Sequence, residues 1–215
     1  MGQTDFAERW REAQGFDASR EVLRDAAYDI IQSNGVEQLN MRGLASCVGA
    51  SAMAAYRYYH GKDALIEEIR LHVHRRFAMA LQEAGAQAGD PVLRFHKMCT
   101  AYLDFAVCNE QDYRLMFGNA ADPTTIGVDA EPRAPAWEGL LRVLESLYHP
   151  ARPIDIIDKA YLVWGALHGI VMLHLSRRLS FGRSVQELAQ PLAGFLERAL
   201  DMPVTAEPKT TLLSS

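Results

Sequence analysis

The sequence predicts an all-α protein. Apolar residues recur with a helical period along nearly the whole chain, the two-residue alternation that marks strands is almost missing, and glycine or asparagine follows several of the helical stripes. Val22, Leu23, Ala26, Ala27, Ile30 and Ile31 form one stripe, which predicts a first helix over 19–33 with Ser19 as N-cap and Asn34-Gly35 as its stop. Asn40 can cap a short second helix, 41–48, with Leu44 and Ala45 inward, and Gly49 interrupts it. Ser51 can accept a hydrogen bond from the backbone of a third helix that runs to about Tyr59 and is ended by Gly61. A fourth helix starts near Lys62 and continues through Leu81 toward the GAQAGDP break. Beyond it the periods predict helices over 92–108, 111–119, 136–148, 154–179 and 185–201, nine in all. The turn-rich stretch 120–135 is expected to be a long loop, and 203–215 a disordered tail.

Composition narrows the function classes. The chain has 215 residues, enough for a small domain joined to a larger one, and it carries 22 basic against 27 acidic side chains. A net charge of -5 argues against a surface that coats nucleic acid or anionic lipid, so any such contact must be local. Three cysteines in no metal-ligand spacing fit a reducing compartment and read as small core residues; Cys99 and Cys108 lie roughly 13 Å apart along one predicted helix, too far for a disulfide. His72 and His74 point to different faces of a helix, which argues against a shared metal site. The first fifteen residues hold no apolar run that could serve as a signal peptide. The longest apolar stretch, 161–175, falls short of the roughly 20 residues that span a bilayer, so a soluble cytoplasmic protein is expected. No glycine-rich phosphate loop, GxSxG or HExxH occurs, and the loop acids Asp122, Asp129 and Glu131 have no basic or nucleophilic partner nearby, so no catalytic residue, cofactor or metal is assigned.

The stretch GASAMAAYRYYHGKDAL, 49–65, departs from the rest. From Asn40 to Lys62 the chain has Arg42, Arg57 and Lys62 and no acid, a segment of +3 in an acidic protein. Two short helices joined by a glycine-containing turn have the spacing of a helix-turn-helix, whose second helix enters the major groove of DNA. Clearing carboxylates from one face is what a phosphate backbone requires.

The succession Gly49, Ser51, Tyr56, Tyr59, Lys62 and Leu65, with the whole segment 20–65, resembles the tetracycline-repressor (TetR) family of bacterial transcription regulators. The resemblance implies that Tyr56 and Lys62 hold DNA phosphates and that Tyr59 packs inside. Physical reasoning adds Arg42, Ser51, Ala52, Met53 and Arg57 to the face toward DNA, and Tyr58, where the family often has histidine, can offer its hydroxyl to a phosphate. ASAMAA presents mainly methyl groups, so few direct hydrogen bonds to bases are expected and Arg42, Ser51 and DNA shape carry more of the specificity. The three tyrosines alone would read as core aromatics; the missing acids and the flanking motif favour DNA.

A second, looser resemblance lies in YLVWGALHGIVML, where Trp164, His168 and Gly169 match the WHG-type effector domain of a TetR subset, and 101–117 resembles the helices that precede it. Segment 154–179 is apolar on nearly all sides, which predicts burial on nearly all sides, and Gly165, Ala166 and Gly169 let another helix come close. The family resemblance implies that the last two long helices form a four-helix interface in a homodimer, hence a near-palindromic operator with half-sites ~34–36 Å, or a multiple of it, apart. Met98, Tyr102, Phe105, Tyr113, Met116, Phe117, Trp164, His168 and Met172 are the candidate walls of a pocket for a small apolar or aromatic effector, although most also fit a plain core role, and His168 fits a packed histidine bonded to a backbone carbonyl.

Together these readings predict a three-helix DNA-binding domain over 19–65 after an N-terminal extension, 1–18, joined to a larger helical ligand-binding and dimerisation domain over 66–202. The function expected is a ligand-responsive, dimeric transcription regulator acting as a repressor, with the fourth helix as the lever between effector and DNA. An interaction module without DNA binding, to which the methyl-rich third helix lends support, and an all-helical enzyme are the alternatives.

Overall fold

The structure is a computed structural model and describes residues 3–86, 88–117, 134–148, 153–179 and 182–202. Ten α-helices and no strand occur among the described residues: α1 Gln3–Glu12, α2 Phe16–Asn34, α3 Met41–Cys47, α4 Ala52–Tyr58, α5 Lys62–Ala86, α6 Pro91–Cys108, α7 Glu110–Phe117, α8 Ala134–Leu147, α9 Pro153–Leu175 and α10 Val185–Ala199. The expected loop over 120–135 lies largely, and the expected tail wholly, outside the described residues.

Nine helices were expected; the tenth is α1, where charged residues interleaved with Phe6 and Trp10 conceal a helix with a single deeply buried ring. Phe6 is 2% exposed, and α1 packs on α2 and α3. Ser19 does not cap α2. The helix begins three residues earlier behind Gly15, whose φ of 95° is open to glycine, and Ser19 is buried within it. Gly35 ends α2, as its position suggested, with its N–H donating to the Ile31 carbonyl. Other ends shift by a few residues, α5 reaching Ala86 and α9 stopping at Leu175. Asp90 caps α6 through Leu93 N–H at 2.8 Å, with Pro91 preset for the first turn.

The chain divides into two compact units. One comprises Met1–His74 and Gln111–Val128, the other Arg75–Glu110 and Asp129–Ser215, so α5 contributes to both and α7 groups with the first. In the first unit Leu23, Ala26, Ala27, Leu44, Val48, Ala55 and Leu65 are fully buried and form one core under α2–α5. Helix α7 is joined to it by polar contacts: Arg70 Nε donates to the Leu115 carbonyl at 3.0 Å, and the fully buried Asp112 accepts from Tyr28 at 2.9 Å and Gln32 at 2.5 Å.

In the second unit α6 packs on α8, α9 and α10, and the His96 ring meets Glu197 at 2.7 Å. A capping box, Ser184 with Glu187, opens α10, and the Ser184 hydrogen bonds hold the Glu187 carboxyl below its usual range. At the other end the Leu200 carbonyl accepts from Tyr148 Oη at 2.5 Å and Lys159 Nζ at 3.1 Å; burial pushes the Tyr148 phenol up to about 12.

Three expectations need correction. Helix α9 is not buried on nearly all sides: Tyr161, Leu162, Met172 and Leu173 are exposed, as is Phe195 of α10, and a Cβ added at Gly165 or Gly169 would meet nothing. The apolar stretch of α9 is also longer than the expected 161–175, since Asp155–Leu175 is long and apolar enough to cross a membrane by length and composition. The cysteines are not uniformly core residues: Cys99 is buried, Cys47 partly so, and Cys108, at the end of α6, is exposed.

Candidate nucleic-acid interface

The interface begins with two short helices that caps hold in place. Asn40 Oδ1 accepts from Gly43 N–H at 2.8 Å, starting α3. At its end Ala50 N–H returns to the Ala45 carbonyl at 2.8 Å and Gly49 N–H to Ser46 at 3.2 Å, the paired bonds of a Schellman stop. This geometry requires a left-handed residue, and Gly49 supplies it at φ 73°. Ser51 Oγ then accepts from Ala54 N–H at 3.2 Å and starts α4. Seven-residue helices do not persist alone in water, so their position depends on packing.

Helix α4 is anchored by Ala55 and, just past its end, by Tyr59. The Tyr59 ring is buried beneath the Arg20 guanidinium, 5.1 Å from its centroid, with Oη 3.1 Å from Glu68 and 3.3 Å from the Arg20 carbonyl. Burial pushes this phenol up to about 12. The inward role expected of Tyr59 is therefore met.

With that face buried, the opposite one is presented to solvent. Met53 is 83% exposed and Tyr56 52%; Arg42, Ser51 and Arg57 are exposed, and Ala52, Tyr58 and Lys62 are half-buried. The ion pairs explain what makes this face different. Arg9, Arg20, Arg24 and Arg70 each pair with Asp25, Glu67 or Glu68. Among the described residues Arg42 and Arg57 meet no carboxylate, the Tyr56 and Tyr58 hydroxyls meet no hydrogen-bond partner, and Lys62 Nζ reaches only the Glu37 carbonyl at 3.4 Å. A surface with uncompensated cations and unspent donors suits a polyanion. Tyr58 has company that its sequence neighbourhood did not indicate: its ring lies 5.7 Å from Trp10, edge to face, and 4.8 Å from Phe16.

Comparisons with known proteins agree with this geometry. Residues 23–69 match the model of bacterial regulatory proteins of the tetR family, and residues 95–196 match the tetracyclin repressor-like C-terminal domain, together more than half of the chain. The chain belongs to the TetR family. It is a non-enzymatic transcription regulator with a DNA-binding helix-turn-helix. Among solved structures it is similar to a TetR-like transcriptional regulator from Rhodococcus sp. RHA1, at 22% identity over 86% of this chain and 97% of that one, with a TM-score of 0.61. It is also similar to the fatty acid degradation regulator FadR from Bacillus halodurans, at 14% identity over 82% and 93%, with a TM-score of 0.65. Both likenesses are of fold. A stretch of 105 residues is 29% identical to the nucleoid occlusion factor SlmA of Pasteurella multocida, 47% of this chain and 51% of that protein, so the match spans about half of the relative's length.

The residues expected to wall an effector pocket fall into both units of this TetR-family chain. In the second, Tyr102 and Phe105 of α6 each meet Phe77 edge to face at 5.1 Å, and Met98 is buried on the same helix. Trp164 lies 6.0 Å from His168 and 6.3 Å from Trp137. Burial lowers the His168 pKa, while Met172 is exposed. In the first unit Tyr113 and Met116 are buried, and the Phe117 ring lies tilted 4.7 Å from Tyr113 and meets His74 at 5.9 Å. Sequence reasoning missed Phe77 and Trp137, which join these groups from other helices. Their signal was only an aromatic on a helix flank. No group of three or more metal-ligating side chains occurs among the described residues.

Proposed function

We propose that the protein is a cytoplasmic, ligand-responsive repressor that binds a near-palindromic operator as a homodimer through Arg42, Ser51, Ala52, Met53, Tyr56, Arg57, Tyr58 and Lys62. The observation that carries the reading is the α3–α4 face, where Arg42 and Arg57 meet no carboxylate and the Tyr56 and Tyr58 hydroxyls meet no hydrogen-bond partner among the described residues, while Arg9, Arg20, Arg24 and Arg70 of the same unit each pair with an acid. Met53 and the alanines around it support apolar contact with thymine methyls and reading of DNA shape.

The dimer reading draws on the uncovered stripe of α9, where Leu162, Gly165, Gly169, Met172 and Leu173 recur with a helical period, and on Phe195 of α10. Closely apposed helices from a second copy would cover it. The aromatic groups around Phe77 and Trp164 support an apolar or aromatic effector, and the Trp164, His168 and Gly169 motif supports a WHG-type effector domain. Domain bounds of 19–65 and 66–202 serve this reading, with α5 as the lever: an effector acts only through its different affinities for the two arrangements of the dimer.

The test is selection of a duplex from random DNA, followed by binding across a salt series. Affinity is expected to fall steeply with salt, and Lys62→Gln to flatten the log–log slope by about one unit. Failure to retain any duplex at low salt would overturn the reading.

A further inference from the structure

Helix α1 lies before the matched family segment, which begins at residue 23, and the structure gives it a specific neighbour. Phe6 is buried against the first unit, Arg9 is held by Asp25 at 2.8 Å, and the Gly15 turn then sets Phe16 at the head of α2. The consequence is that Trp10 and Phe16 both lie against Tyr58, the last residue of α4. A terminal residue on a seven-residue helix has little local structure to fix its side chain, and these two rings supply it.

From this we infer that α1 is a brace for the recognition helix, with Trp10 and Phe16 as positioning residues that hold Tyr58 ready for a DNA phosphate. The inference rests on the DNA-binding reading of the α3–α4 face. Charge separates bracing from direct contact: α1 carries Asp5, Glu8 and Glu12 against Arg9 and Arg11. Arg9 is spent on Asp25, and Arg11 Nε donates to the Ala7 carbonyl of its own helix. Such a helix offers little to phosphate, yet it orders a side chain whose hydroxyl has no partner among the described residues. A group immobilised before binding does not lose that freedom on contact, and this is worth about three- to tenfold in affinity.

The experiment measures binding of Trp10→Ala, Phe16→Ala and Trp10→Phe to the duplex selected by the unaltered protein, each alone and combined with Tyr58→Phe. Both alanine variants are expected to weaken binding about three- to tenfold, Trp10→Phe to restore most of it, and the alanine effects to vanish in the Tyr58→Phe background. Phe16 is half exposed, so Phe16→Ala keeps the fold even where Trp10→Ala lowers the melting temperature. Undiminished binding by Phe16→Ala and Trp10→Ala, or equal losses with and without the Tyr58 hydroxyl, overturns the brace while the DNA-binding reading stands. An unaltered protein that retains no duplex overturns both.

Discussion

Asp112 is fully buried on α7, and replacing it by alanine removes a polar joint in the first unit. Its two oxygens accept from Tyr28 at 2.9 Å and from Gln32 at 2.5 Å, one turn apart on α2. Hydrogen bonds to a charged group contribute ~1.5–3 kcal/mol each, so these two bonds together account for about 3–6 kcal/mol before any compensation by water. Tyr28 and Gln32 are only half-buried, so water recovers part of this once the carboxylate is gone. The expected loss is therefore about 2–4 kcal/mol, a drop of ~5–15 °C in melting temperature for a chain of this size. Asp112→Asn, which keeps one carbonyl acceptor, should fall between. Urea and thermal unfolding followed by circular dichroism read the loss, and a cycle with Tyr28→Phe reads the coupling. Unchanged unfolding of Asp112→Ala, or strict additivity with Tyr28→Phe, would show that this joint does not hold α7 to α2.

Leu162→Glu places a charge on the uncovered stripe of α9, where the side chain is 62% exposed. Sedimentation should therefore find a folded monomer with weakened operator binding; a dimer of unchanged affinity would move the interface elsewhere. His168 gives a pH signature. Burial lowers its folded pKa below the ordinary 6.5, so the unfolded chain binds the proton more readily; this contribution to stability is complete above pH 6.5 and is lost as pH falls through the folded value. His168→Gln should flatten that acid decline, and the His168 ring protons should titrate below 6.5 by NMR; a midpoint at or above 6.5 contradicts the burial argument.

The helical architecture and the two short helices of the candidate interface were legible because both are written at short range. The stripe from Val22 to Ile31, the caps at Asn40 and Ser51, and the glycine needed at residue 49 are each fixed by neighbours within one or two turns. The helix α1 was less legible, since its charges mask a period completed only by Phe6 and Trp10. The exposure of α9 was misread because an apolar helix looks alike whether its own chain or another covers it.

By itself the sequence determined an all-α chain, a carboxylate-free segment from Asn40 to Lys62 and the membership that these imply, because spacing and charge are properties of the chain read in order. Only the tertiary structure decided which distant groups meet: Asp112 with Tyr28 and Gln32, 84 and 80 residues away, and Trp10 and Phe16 with Tyr58. No local period encodes those meetings, because they follow from the path by which burial of the apolar faces brings the helices together.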